Sequence, residues 1–375
     1  MNKMFKDRAG FSTLAIIIAA VVVAAILATV FILRSTKKEP IKIGAILSLS
    51  GPASHLVCIR DSMLLAVDEI NAWGGVNGRK IELIIEDSKT SPEEGKKAFS
   101  RIEAAHHPLL YVSTNSSVSM ALAPLAEENR VVLVGLVVTT PKLAKQNEWV
   151  FRYYSSAEGE VPPILSILQK LRLKNLGILY LNDAYGTSVY KLLKKEFERN
   201  GGTARSEAFE PKESDLKEQI ANLKDMRAIY TVGFPSNLKT VYKQLKEENF
   251  SEIMLVCSST IILDITAPEV NGMYVAAPII YNPNLVFAKE AKEKYEARYN
   301  NRFNHQAANG YDFVKFLASL LEDKDISRKS VKSLLEEGFI YSGVFGSIDV
   351  KVGEHDILFP LHPARIVDGK VKYLR

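Results

Sequence analysis

Cysteine is almost missing from this sequence: Cys58 and Cys257, 199 positions apart, are the only two in 375 residues. They read as two separate, partly buried thiols rather than a bridge. Histidine is also sparse, and the six at 55, 106, 107, 305, 355 and 362 show no ligand spacing with cysteine or acids. No metal site is expected, and His106 and His107 read as the end of a helix before Pro108. Phosphate loops of the GxxxxGK type, a GxGxxG fingerprint and a GxSxG elbow are absent, so neither a nucleotide cofactor nor a catalytic serine is expected. No catalytic residue is named, and the chain is not expected to be an enzyme. A one-sided charge is lacking too. The net +5 contains +4 from residues 1–40, where Lys3, Lys6, Arg8, Arg34, Lys37 and Lys38 face only Asp7 and Glu39. The remaining body is almost neutral, which excludes the basic face of a nucleic-acid binder.

What is present is one long uncharged run, "FSTLAIIIAAVVVAAILATVFIL", residues 11–33. At ~1.5 Å per residue it reaches roughly 34 Å, enough to cross a bilayer core. Export signals usually have shorter apolar cores and end in small residues, whereas this run ends in "TVFILR". An uncleaved single-pass anchor is expected, with the folded part outside the cytoplasm. A secreted or periplasmic protein released by signal cleavage is the alternative.

Beyond the linker 34–40 the chain repeats a short β-branched run, a turn of small residues and a helical stretch. "IKIGAIL", "KIELIIED", "LLYVS", "VVLVG", "NLGILYL", "AIYTVG" and "EIMLVC" read as strands. Helical stretches include 59–73, 117–129, 186–200, 214–224 and 236–248, and Ser91, Pro92 and Glu94 form a capping-box signature. This alternation predicts parallel sheets with helices on both faces, an α/β protein. The rhythm breaks into extended connections at 150–163 and 274–284, which are candidate crossings between two sheets.

Ligands of open α/β sheets bind beyond the carboxyl ends of strands. The loops there are rich in hydroxyls, amides and aromatics: "STNSSVS" (113–119), "VVTTP" (137–141), "NDAYGTS" (182–188), "GFPSN" (233–237) and "CSST" (257–260). Such groups with free helix N–H donors suit a carboxylate or another small polar ligand. Ser116 or Ser117 is at the same time a natural cap for the helix from 117. Residues of "NGYDFVKFLASLLE" fall at helical spacing and read as core.

"IKIGAILSLSGPAS" and "LAVDEINAWGGVNGRKIELIIED" resemble the start of the type I periplasmic binding proteins of ABC transporters, leucine/isoleucine/valine branch. "ALAPLAEENRVVLV", "LYLNDAYGTSVYKLLKKEFERNGG", "EVNGMYVAAP" and "AANGYDFVKFLASLLE" continue the likeness, which covers 41–375. It implies two Rossmann-like lobes joined by three hinge crossings; the apolar run 11–33 puts one N-terminal transmembrane helix before them. The division expected is a tail 1–10, the anchor 11–33, the linker 34–40, lobe 1 from 41–152 and 283–343, and lobe 2 from 153–282 and 344–375. The implied function is capture of a small carboxylate-bearing ligand, a branched-chain amino acid or a relative of one, for delivery to permease subunits. A ligand-sensing module of a signalling complex is the alternative, and an enzyme on this fold a second. The resemblance places the carboxylate site after the fourth strand, at "NSSVS", with Ser116 as the key hydroxyl and Ser117 beside it. Thr139 joins them, Tyr185 covers the ligand from the second lobe, and Phe234 stands where a second aromatic is expected. Val137 and Val138 replace smaller residues, and His55 lies at the mouth in a shortened loop. Ser259 occupies the position of the acid that meets an amino acid's ammonium group; Asp183 and Asp264 are the nearest candidates to replace it.

Overall fold

Most strands are short apolar runs, and "IKIGAIL", "LYVST", "VLVGL" and "AIYTV" are almost wholly buried, as strands covered on both faces require. In the computed structural model, which describes residues 38–250, 253–256, 265–279 and 284–374, they assemble into two large sheets and a separate hairpin. The first is built from β1 (Ile41–Leu47), β2 (Ile81–Asp87), β3 (Leu110–Thr114), β4 (Val132–Leu136), β5 (Val150–Tyr153) and β13 (Asp356–Ile357), in the order β13-β5-β4-β3-β1-β2. Every pairing in it is parallel. β6 (Asn175–Leu181), β7 (Thr203–Phe209), β8 (Ala228–Val232), β9 (Ile253–Val256) and β10 (Tyr274–Pro278) form the parallel part of the second sheet, with β14 (Leu361–Val367) and β15 (Lys370–Tyr373) as an antiparallel edge. The whole order is β15-β14-β10-β9-β8-β6-β7.

Helices cover both faces, and their caps explain where they start. α1 (Val57–Ala72) packs on α10 (His305–Leu321) against one face of the first sheet. Their close approach needs Gly310, since a Cβ there would come within 2.6 Å of Ser62 Oγ and 2.9 Å of the Ile59 carbonyl. α2 (Pro92–His106) and α3 (Ser116–Asn129) pack together on the opposite face. Ser91 caps α2 as expected, accepting from Glu94 N–H at 3.4 Å. The reciprocal half of the box is replaced, because Glu94 pairs with Lys97 and the Ser91 N–H donates to the Ser88 carbonyl. His106 ends α2, as its place before Pro108 predicts.

Three expectations are corrected. The stretch 150–163, read as an extended connection, is extended only as far as Ser156 and is helical from there as α5 (Ala157–Lys170) despite Pro162 and Pro163. Ser156 caps it, and burial of Ala157, Val161, Ile164, Ile167 and Leu168 outweighs the two missing donors. The "NSSVS" stretch follows the third strand, not the fourth. The segment expected to join the second lobe at 344 stays with the first sheet through Ile357, because β13 pairs with β5 after the hairpin β11 (Phe339–Gly343) and β12 (Gly346–Val350). The chain therefore passes between sheets at 154–156, after Pro278 before α9 (Val286–Tyr299), and at 358–360. The expected anchor 11–33, Cys257, Ser259 and Asp264 lie outside the described residues; among the described residues no helix is long and apolar enough to cross a membrane.

Candidate functional site

Each sheet reverses its strand order once along its length. In the first sheet β1 lies between β2 and β3; in the second, β6 lies between β7 and β8. Such switch points splay the following loops apart and leave a crevice at the strands' carboxyl ends. The loops after β1 and β3 carry His55 and Ser116, and those after β6 and β8 carry Tyr185 and Phe234. The two crevices face each other: the Ala184 N–H donates to Ser117 Oγ at 3.4 Å, and Ser236 Oγ donates to the Pro52 carbonyl at 3.4 Å. Phe234 is the keystone of the contact, its ring 5.8 Å from that of His55 and 6.0 Å from that of Tyr185.

Between the lobes lies a cavity of about 20 Å3 whose walls include His55, Ser116, Thr139, Tyr185 and Phe234. One water needs roughly 10–15 Å3 on that measure, so the lobes are closed on each other. Five of the seven residues named from sequence thus share one cavity. Ser117 sits at its lobe-to-lobe rim through Ala184, and Ser259 lies outside the described residues. Sequence reasoning overlooked Leu56, Asn115, Tyr154 and Gln306, which also line it, and treated Val137 only as the replacement of a smaller residue. For Asn115 the signal was present, one position ahead of the serines. Tyr154 sits in the stretch read as an extended connection, and Gln306 just ahead of the helical stretch "NGYDFVKFLASLLE", neither with a signal of its own.

The cap of α3 is Asn115, not Ser116 or Ser117. Asn115 Oδ1 accepts from Ser117 N–H at 3.0 Å and from Val118 N–H at 3.2 Å, with the residue held at φ 73°. Asparagine tolerates that left-handed backbone better than serine, which is why the cap falls there. Ser116, 2% exposed, is left out of the cap and faces the cavity. Across from it Val137 has φ 55°, a genuine strain for a β-branched residue. Two strained positions lining one cavity are what a site that fixes its backbone for a ligand looks like.

Arg152 braces the loop that follows Val137. Fully buried, it donates Nη1 to the Thr139 carbonyl at 3.1 Å and Nη2 to the Thr140 carbonyl at 2.8 Å. Its Nε lies 2.9 Å from Asp356 Oδ1, close enough to pair by charge although not aligned as a hydrogen bond. Burial lowers the Arg152 pKa and raises that of Asp356, against their mutual attraction. The loop thus held leaves Thr139 Oγ1 buried without a partner.

On the other lobe Asp183 caps α6 (Ala184–Arg199), accepting from Gly186 N–H at 2.8 Å. Gly186 has no substitute, since a Cβ would lie 2.1 Å from the Leu181 carbonyl oxygen. Burial pushes the Asp183 carboxyl up to about 6, against the pull of that N–H. Burial likewise holds His55 down to about 4 and His305 to about 3. His305 Nε2 meets Tyr154 Oη at 2.9 Å, behind the cavity wall. The hinge is tied by Ser155 Oγ, which donates to the Phe359 carbonyl at 2.5 Å and joins the first crossing to the third. Asp312 holds the last strand residue before the first crossing, accepting from Tyr153 Oη at 2.7 Å and from Val344 N–H at 2.6 Å. Cys58 is a free, buried thiol. Among the described residues no cluster of His, Cys, Asp and Glu is fit to hold a metal ion.

The chain resembles known proteins along most of this architecture. A Leu/Ile/Val-binding protein homolog of Brucella melitensis is 24% identical over 222 residues, 57% of this chain and 60% of that protein. The chain thus matches somewhat less than two thirds of that relative's length. A leucine-binding protein from Thermotoga maritima superposes with TM-score 0.80 at 20% identity, over 89% of this chain and 98% of that one. A solute-binding protein of an ABC transporter from Rhodopseudomonas palustris, solved with 3,4-dihydroxybenzoic acid, superposes with TM-score 0.78 at 18% identity, over 90% and 96% of the two chains. These structures and the family members are binding proteins rather than enzymes. With a family match running from residue 40 to residue 370, the chain belongs to the periplasmic binding protein family, of the type I, leucine/isoleucine/valine-binding kind.

Proposed function

We propose that this chain is an extracytoplasmic receptor that captures a small carboxylate-bearing solute between its lobes and hands it to an ABC importer. One observation carries the reading: Asn115 takes over the cap of α3 and leaves Ser116 free to face an interlobe cavity. A carboxylate there would accept from the Ser116 hydroxyl at the positive end of a 14-residue helix, beside the unpartnered Thr139 hydroxyl. Tyr185 and Phe234 close over it from the second lobe. Leucine and 3,4-dihydroxybenzoic acid, ligands of two neighbours, differ in almost everything except the carboxylate, which supports that half of the site. A ligand that contacts both lobes binds the closed form better and so shifts the population toward it, the signal an importer reads.

Residues 11–33 would hold the receptor to its membrane. Supporting this, the first described residues are fastened to the pole of lobe 1 away from the cleft: Lys38 Nζ donates to the Asn77 carbonyl at 2.8 Å and Arg79 Nε to the Glu39 carbonyl at 2.7 Å. The four residues 34–37 span at most about 14 Å, so this pole would face the bilayer. The neighbouring Trp73 is 92% exposed, a side chain suited to a membrane interface.

The test is thermal unfolding of the detergent-solubilised full chain with leucine, isoleucine, valine and simple carboxylic acids. At ~100 times Kd a true ligand adds roughly 2.7 kcal/mol. A rise with any carboxylate that Ser116→Ala abolishes supports the cradle. No rise with any of them refutes it.

A further inference from the structure

Gln306, the second residue of α10, is completely buried and lines the cavity. Its backbone N–H is taken by the Asn304 cap at 3.0 Å. Its Oε1 faces only the Cys58 thiol, at 4.0 Å, and its Nε2 has no partner at all. A buried primary amide with both N–H groups unused is rare in a folded protein and asks what it is there to meet. The remaining walls constrain the answer. Leu56, Val137, Tyr154, Tyr185 and Phe234 are apolar or aromatic, and no lining residue among those described carries a full charge. Burial keeps His55 neutral as well. A second ionised group on the ligand would find no counter-charge among them, whereas a hydroxyl or carbonyl oxygen would complete the Gln306 amide.

Resting on the carboxylate-receptor reading, we propose that Gln306 is the specificity-determining residue, and that the ligand is a small monocarboxylate bearing a neutral hydrogen-bond acceptor, not a branched aliphatic amino acid. Leucine, isoleucine or valine would place alkyl groups against the amide and leave its donors buried and unpaired. Sites built to bond a polar group discriminate strongly against analogues that lack it.

Two near-isosteric pairs test this on the detergent-solubilised full chain by calorimetric titration: 4-oxopentanoate against 4-methylpentanoate, and 4-hydroxybenzoate against benzoate, with leucine as a further probe. The acceptor-bearing member of at least one pair is expected to bind about tenfold or more tighter than its partner, and tighter than leucine. Gln306→Leu should erase or invert that ratio. Gln306→Glu, which keeps the shape but replaces the donors by a carboxylate, should lose the acceptor-bearing ligand as well. Thermal unfolding of both variants reports whether they fold, and either one alone suffices for the comparison. Equal affinities within both pairs, tighter binding of leucine, or a ratio unchanged in a folded variant overturns the proposal while leaving the carboxylate receptor standing. Absence of binding by every carboxylate overturns both.

Discussion

Asn115 Oδ1 accepts the backbone N–H of Ser117 at 3.0 Å, and this bond separates two duties that one serine would otherwise have shared. Helix capping falls to Asn115, and the cavity is left to Ser116.

The separation predicts opposite phenotypes for neighbouring substitutions. Ser116→Ala should leave denaturant-induced unfolding of the ligand-free protein within about 0.5 kcal/mol of wild type, yet weaken a bound carboxylate roughly 10-fold or more through loss of a charge-assisted hydrogen bond. Asn115→Ala should cost about 1 kcal/mol of stability or more, because it removes the cap at a left-handed residue, whereas Asn115→Gly should cost only a few tenths. Equal stability losses for Ser116→Ala and Asn115→Ala would show that the cap is shared after all.

Arg152 joins the ligand loop to Asp356 beside the third crossing. Arg152→Met leaves the half-buried Asp356 without its counter-charge and two buried carbonyls without donors, so a loss of about 3 kcal/mol is expected. Asp356→Asn in the same chain should recover part of it, and a double-mutant cycle measures the coupling. Purely additive losses would mean that the 2.9 Å approach of Nε to Oδ1 contributes nothing.

Acid acts on closure through two groups of opposite sign. Burial in the closed form lowers the His55 pKa from its ordinary 6.5 to about 4; an open form that exposes the ring would take up a proton that the closed form refuses. Binding is therefore opposed as pH falls from 6.5 toward 4. Asp183 is raised from its ordinary 3.8 to about 6 in the closed form; an open form that exposes it would hold the proton less tightly, so binding would be favoured as pH falls through 6. The two offset each other in wild type. His55→Gln should give affinity that strengthens on acidification, and Asp183→Asn affinity that weakens. Titration calorimetry at pH 7, 6 and 5 checks both; identical pH profiles for the two variants would remove the lobe interface as the origin.

Asp312 carries a buried carboxyl pushed up from 3.8 to about 6 by desolvation, only partly relieved by Tyr153 and Val344. Its charge opposes folding above pH 6, and that penalty is relieved as pH falls toward 3.8. Asp312→Asn should therefore compare more favourably with wild type at pH 8 than at pH 5, as read by denaturant midpoints. A difference independent of pH would place its role in hydrogen bonding alone.

The alternation of β-branched runs and amphipathic stretches, together with the family's motifs, was enough to determine a two-sheet α/β chain with loops of small polar residues at its strand ends. Short-range physics carries that much, because strand burial and helix capping depend on neighbours in sequence: Ser91 caps α2 as its spacing with Pro92 and Glu94 predicts. Tertiary structure decided what depends on distant partners. Gln306 carries no signal in sequence and becomes a cavity amide only because the start of α10 reaches the loops after β1 and β3. Arg152 looks like one charge in an extended connection, and its function as brace for Thr139 and Thr140 exists only once β5 lies beside β4. The third crossing moved from 344 to 358–360 for the same reason: two residues of β13 find β5 across 200 positions of chain, a pairing no local pattern announces. Even Ser116 was freed by geometry, since the left-handed turn that ends β3 suits asparagine and hands it the cap.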